Sequence, residues 1–320
     1  MSTVNNINST STDYEGLSPV LIALRTCFIA IIALLIISGN ILSIAVIRRV
    51  TNLADSTKIL MTSLAVSDLS LGLFTLPYVV ASGLDRWPFG DIVCEFVTIY
   101  SLSCFAMSVL SIISINIERF LAVTRPYKFP VWCTSSRVKK AVVFLALLSL
   151  CVGLSSKLAS QVSAEFCDVL QVCYYIKATP FVITCTLILG DIFPTLLMSY
   201  IYYRLIKISR QHEQRLNQNG NIEANNNHDN KALKTFLVVT LTFAGCYTPF
   251  LTLQTAMYLP GVSTPEWLQF LTAWLLTSNS MFNVIIYYLF NKAFRQKAKK
   301  ILLERFPCCN RAVGPFEMVS

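Results

Sequence analysis

An all-α integral membrane fold, a bundle of seven transmembrane helices with a short amphipathic helix at its end, is predicted by three observations. Apolar stretches of spanning length recur at about 22–47, 57–82, 92–117, 138–160, 179–203, 233–258 and 267–290. At 1.5 Å per residue, roughly 20 apolar residues cross about 30 Å of hydrocarbon. The hydrophobic fraction is 54% and the charged fraction 13%, against roughly 25% charged in soluble domains, so the surplus apolar surface must face lipid. The 26 Lys and Arg residues are also sorted. All but Arg25, Arg86, Lys157 and Lys177 fall in or beside the first, third and fifth connections and the C-terminal tail. Basic residues are retained on the cytoplasmic face, which predicts the N-terminus outside and the C-terminus inside.

Residues 1–18 read as a polar extracellular tail with one glycosylation sequon, Asn8-Ser9-Thr10. They lack the basic start of a signal peptide, so the first span is expected to act as its own uncleaved insertion signal. Residues 19–290 carry the seven spans. The inner turns at 48–57 and 119–137 are short and basic, and 210–230 reads as a mobile, Asn-rich polar linker without hydrophobic period. In 291–306, Phe294, Ala298, Ile301 and Leu302 share a face, with Lys297, Lys299 and Lys300 among the polar positions. That pattern predicts an amphipathic helix lying on the lipids of the inner leaflet. The tail 307–320 opens with Cys308 and Cys309, two palmitoylation candidates beside that helix. No internal repeat is evident.

Several function classes are disfavoured. The net charge of +9 flanks membrane spans, where it serves orientation and acidic headgroups rather than nucleic acid. The eleven Cys have no metal-ligand spacing. Only two His occur, His212 and His228, both in the polar linker, and no HExxH or GxSxG is present, so catalysis is not expected. A transporter is the alternative class, disfavoured because repeats and rings of charge are missing.

Ionisable groups inside spans are costly, which makes each a functional candidate. Asp68 sits mid-span, and Ser108, Asn279, Ser280 and Asn283 can bring further oxygens to it. Hard oxygen ligands around one carboxylate suit Na⁺ or a water cluster; a structural hydrogen-bond hub is the other reading. At the inner edge of the third span, Glu118 can hold the Arg119 guanidinium. An Arg119–Asp229 contact would close the inner face, unless Asp229 belongs to the solvated loop. Asp191 lies about one turn before Pro194, where a lone carboxylate must be paired, protonated or facing a wet cavity.

The chain resembles the rhodopsin-like (class A) G-protein-coupled receptors over about residues 22–306, in general pattern nearest the amine-type receptors. Gly39-Asn40 matches the first-span signature, Leu64-Ala65-Val66-Ser67-Asp68 the second, and Trp87-Pro88-Phe89-Gly90 with Cys94 the first outer loop. Glu118-Arg119-Phe120 resembles DRY, with Pro126 beyond it, and Pro194 with Tyr202 matches the fifth span. Phe243 with Cys246-Tyr247-Thr248-Pro249 resembles CWxP, and Asn283-Val284-Ile285-Ile286-Tyr287 resembles NPxxY.

The resemblance implies a plasma-membrane receptor that binds a small extracellular ligand within the bundle and activates a heterotrimeric G protein, with arrestin and receptor kinase as further partners. It implies that Arg119, Tyr202 and Tyr287 rearrange as the inner face opens, that Pro249 kinks the sixth span, and that Tyr247 is a rotamer switch under the ligand. Tyr127 would enter an apolar pocket of the G protein. Cys94 would pair with Cys173 by similarity of spacing; Cys167 is the alternative partner. Tyr100, Ser101, Cys104, Phe105, Thr186, Gly190, Asp191, Tyr247, Phe250, Gln254, Trp274 and Thr277 are the implied pocket.

The departures are informative. Tyr247 stands for Trp, Ala146 for the fourth-span Trp, and Val284 for Pro, which restores a backbone hydrogen bond and straightens the seventh span. Ser101 holds the place of the Asp that pairs with ligand in similar amine receptors, and Thr277 that of the retinal-binding Lys of opsins. An uncharged ligand therefore fits as well as an amine. Asp191 could substitute as counter-ion, or it could be a protonated Asp bonded to Ser, Thr or Tyr247.

Overall fold

The computed structural model describes residues 18–51, 53–160, 163–175, 188–218, 226–257 and 262–305, without the side chains of 209, 212–236 and 305. Six helical stretches among them are long and apolar enough to cross a membrane. These are α1 (Pro19–Arg49), α2 (Asp55–Leu84), α3 (Asp91–Thr124), α5 (Ser135–Ser160), part of α7 (Asn226–Ala256) and α8 (Glu266–Phe290). A one-turn helix α4 (Phe129–Trp132) lies between α3 and α5. The remaining span enters the described residues as a π-helical turn, Ile188–Ile192, and continues as α6 (Phe193–Gln218). Its preceding stretch, 176–187, lies outside them.

Local chemistry sets the boundaries. The Ser18 hydroxyl caps α1 at the Leu21 N–H, Pro19 occupies the first turn, and Arg48 and Arg49 close the last turn, where cations complement the helix dipole. The π turn precedes Pro194, which has no N–H to give to the helix ladder. Pro249 lies inside α7. By contrast α8 runs unbroken through Val284, whose methyls would meet a Cβ on Gly39 at 3.3 Å. A Cβ on Gly72 would come within 2.7 Å of Ile36; the close packing of α1 on α2 depends on glycine there.

The polar segment 210–230 is helical at both ends, and 219–225 lie outside the described residues. Helix α6 continues to Gln218 and α7 begins at Asn226. Gln, Glu, Arg and Leu favour helix, and neither side supplies a proline to stop a helix already started in the membrane.

Helix α3 packs on α2, α5, α6 and the outer loop. One apolar cluster, with Leu64, Ile112, Phe243 and Tyr287, fills the inner half; a second, with Ile36, Tyr78, Val97 and Trp274, fills the outer half. Leu34 (62% exposed), Phe144 (64%) and Leu196 (65%) face outward, as lipid-facing side chains do. Helix α9 (Lys292–Arg305) buries Phe294, Ala298 and Ile301 but leaves Leu302 exposed. Arg49 of α1 pairs with Glu304 at 2.6 Å, and that hydrogen bond holds the Glu304 carboxyl below its ordinary value.

The outer loop contains an antiparallel hairpin, β1 (Glu165–Cys167) and β2 (Val172–Tyr174), with Phe166 opposite Cys173. A Cys94–Cys173 disulfide ties it to the top of α3. Cys167 is a free thiol. Glu95 adds a second tie, accepting from the Ala164 N–H at 2.8 Å and the Tyr175 hydroxyl at 2.7 Å while pairing with Lys157 at 3.1 Å. Closing a long loop restrains the unfolded chain, typically by about 2–4 kcal/mol. Cys94→Ala should therefore lower the thermal midpoint of the solubilised protein and its surface yield; an unchanged midpoint would show that the disulfide is dispensable.

Candidate functional site

Below the hairpin, α2, α3, α5, α7, α8 and the π turn enclose a cavity of about 320 Å³, within the size range of small-ligand sites. Its α3 wall is the stripe Thr98, Ser101, Leu102, Phe105, Ala106 and Val109, spaced for one helical face. Helix α7 contributes Tyr247, Phe250, Leu251 and Gln254, and α8 contributes Trp274 and Thr277, while Gly190 enters from the π turn. No acidic or basic side chain lines the cavity among the described residues.

Three expected lining residues lie elsewhere: Tyr100, Cys104 and Asp191. Tyr100 packs on Phe74 with ring centroids 4.1 Å apart, and Cys104 is buried with its carbonyl taking the Ser67 hydroxyl. Each directly precedes a residue of the α3 stripe, and one residue turns a helix by about 100°, toward α2. Thr186 lies outside the described residues. The sequence reading also missed the α2 wall (Leu71, Thr75, Tyr78) and the roof (Val172, Tyr174, Tyr175). The α2 residues recur at helical spacing, a signal that could have found them, and Cys173 as α3's disulfide partner could have found the roof. The Trp274 indole N–H donates to the Leu170 carbonyl at 3.0 Å, so this side chain both lines the cavity and anchors its roof.

Asp191 is 3% exposed and is absent from the lining, although its neighbour Gly190 is present. Thr248 donates to its carboxylate at 3.0 Å and Thr195 at 3.3 Å. The Thr248 bond joins the π turn to α7 directly behind the cavity.

A second polar cluster lies deeper. Asp68 is fully buried; Ser108 and Ser280 meet one carboxylate oxygen at 2.8 Å and Asn283 the other at 2.9 Å. Asn279 is buried nearby but is not among the donors to Asp68. Asn40 brings α1 into the cluster by donating to the Ser280 carbonyl at 3.1 Å.

At the inner end, Glu118 is buried and accepts from Ser56 and Thr57, each at 2.8 Å. Arg119 lies 3.2 Å from the Glu118 carboxylate and also donates to Thr57. Asp229 falls in the first turns of α7, but its side chain is outside the described residues, as are Asn8, Cys308 and Cys309. Above this layer Phe243 is fully buried and packs on Tyr247, with centroids 4.2 Å apart, below Pro249 in α7. Tyr287 packs on Phe294 of α9, Tyr202 is half-buried on α6, and Tyr127 is 95% exposed on the inner loop.

A sequence model of the seven-transmembrane receptors of the rhodopsin family matches residues 39–287. The chain belongs to that family. It is a multi-pass membrane protein, a ligand-binding G-protein-coupled receptor of the cell surface and not an enzyme. Among curated proteins, it is 29% identical to the histamine H2 receptor of Homo sapiens over 302 residues, 90% of this chain and 80% of that one. The histamine H2 receptor of Cavia porcellus is 28% identical over 295 residues, 88% of this chain and 79% of that one. Trace amine-associated receptor 7h of Rattus norvegicus is 27% identical over 284 residues, covering 84% and 79% of the two chains.

A buried carboxylate stripped of a donor loses about 1–3 kcal/mol. Thr248→Val in this receptor should lower thermal stability by that order, and Asp191→Asn should recover part of the loss. Additivity of the two substitutions in a double-mutant cycle would show that the side chains do not interact.

Proposed function

We propose that this receptor sits in the plasma membrane with its N-terminus outside, takes a small uncharged ligand into the cavity, and answers by opening its inner face to a heterotrimeric G protein. The supporting observation is electrical. The described lining holds no acidic or basic side chain, and it includes Ser101, where similar amine receptors hold an Asp. An ammonium group there would be desolvated without a counter-charge.

The transmission path follows the contacts. Tyr247 touches both the cavity and Phe243, and Phe243 belongs to the inner cluster with Tyr287. Outward swing of α7 below Pro249 would free Arg119, which Tyr202 and Tyr287 would then meet, while Tyr127 docks on the G protein. Release of an Arg119–Asp229 contact would accompany that swing. Arrestin and a receptor kinase would act on the same face. Asp68, Ser108, Ser280 and Asn283 fit a Na⁺ ion, since every side chain there offers an oxygen; such an ion would neutralise the carboxylate and favour the closed state. We further assign glycosylation to Asn8, membrane contact to the exposed face of α9 with Leu302, and palmitoylation to Cys308 and Cys309.

A second reading makes the receptor an atypical amine receptor with Asp191 as counter-ion. It draws on similarity to receptors named for histamine and trace amines, and on a buried carboxylate one residue from the lining residue Gly190. The deciding experiment is G-protein activation in transfected cells challenged with biogenic amines and with neutral compounds of similar size. The uncharged reading expects no amine response from the wild-type receptor at confirmed surface expression. It also expects Ser101→Asp to raise amine affinity at least tenfold, about 1.4 kcal/mol. Activation of the wild type by an amine, lost in Asp191→Asn, would install the second reading instead.

A further inference from the structure

Most polar groups of the cavity are already committed within the protein. Thr75, Thr98, Ser156 and Thr277 donate to carbonyls of their own helices at 2.8 to 3.1 Å. Trp274 donates to Leu170 and Tyr175 to Glu95. Tyr174 has a partner. Two lining residues break the pattern. The hydroxyl of Tyr247 and the amide nitrogen of Gln254 are buried with no hydrogen-bond partner. Buried polar groups of folded proteins are nearly always paired, so a partner supplied from outside the chain is the natural completion.

Both residues stand on α7, seven positions apart, which places them on one face about 10 Å apart along the axis. Phe250 and Leu251 lie between them and line the same cavity. The wall therefore reads polar, apolar, polar. The buried atom of Gln254 is its amide nitrogen, and a primary-amide nitrogen donates, so its complement is an acceptor. A carboxylate would be buried without a cation. The complement at the outer anchor is a neutral acceptor.

We propose that the ligand is an elongated neutral molecule with a hydrogen-bond acceptor at each end and an apolar middle. One acceptor is held by the Gln254 amide and the other by the Tyr247 hydroxyl, whose backbone positions stand about 10 Å apart along the helix axis. This proposal rests on the uncharged reading of the cavity.

The test uses the full-length receptor in lipid nanodiscs, with binding read as a concentration-dependent thermal shift. The probes are dimethyl esters of straight-chain dicarboxylic acids of increasing length, methyl esters of monocarboxylic acids of matched length, and α,ω-diamines. The expected result is a chain-length optimum among the diesters. At that length the diester should bind roughly three- to tenfold more tightly than its monoester, the value of one neutral hydrogen bond. Tyr247→Phe and Gln254→Leu should each remove the diester's advantage over the monoester of the same length.

Equal binding of diesters and monoesters, or an advantage that survives both substitutions, would overturn the two anchors and leave the uncharged reading standing. Binding of diamines in place of esters would overturn both. Failure of every probe to shift a cooperative thermal transition would also overturn the proposal. If either variant fails to fold, the chain-length optimum in the unaltered receptor decides.

Discussion

Hydrocarbon offers neither donors nor acceptors, so each polar group inside the bilayer must find its partner within the protein. The arrangement of this receptor depends most heavily on that constraint at Asp68. Its fully buried carboxylate takes hydroxyls from Ser108 and Ser280 and an amide from Asn283, while Asn40 reaches the Ser280 carbonyl. One acid thereby sets α1, α2, α3 and α8 relative to each other. Sliding any of them by a turn would strand a buried charge, which costs far more than lost apolar contact. The same rule recurs at the inner end, where Glu118 collects Ser56, Thr57 and Arg119, and behind the cavity, where Asp191 collects Thr248.

The outer half follows a different logic. Among the described residues its cavity is lined by aromatic, aliphatic and neutral hydrogen-bonding groups, while Glu95 pairs with Lys157 above it and Asp191 is held by Thr248 behind it. On the proposed reading, shape and a few polar atoms would discriminate among ligands there. The family relationship to amine receptors coexists with this uncharged lining because the bundle is held by Asp68 and its neighbours, not by ligand-contacting residues.

The architecture was largely legible in the sequence because spanning helices write long apolar runs and basic flanks, signals that sum over some 20 residues each. The donors to Asp68 were legible for a similar reason, since polar residues inside such runs are rare and must meet. Individual pocket residues were less so. Tyr100 and Cys104 adjoin true lining residues in sequence, and only helix rotation separates them from the cavity. Thr75 and Tyr78 read as ordinary span residues until the fold turns α2 toward α3. The extension of α6 to Gln218 was hidden because polar residues carry no hydrophobic period once a helix leaves the bilayer, although nothing in them forbids helix.

The roof of the cavity is fastened at separate points: the Cys94–Cys173 bond, the Glu95 bonds to Ala164 and Tyr175, and the Trp274 bond to Leu170. A fastened roof resists departure more than it assists arrival. Differences in affinity among ligands of one cavity reside mainly in the dissociation rate, and here departure competes with three anchors drawn from α3 and α8. With a ligand held in this cavity as proposed, the duration of a signal after the ligand has been cleared from the medium would be written partly into that roof.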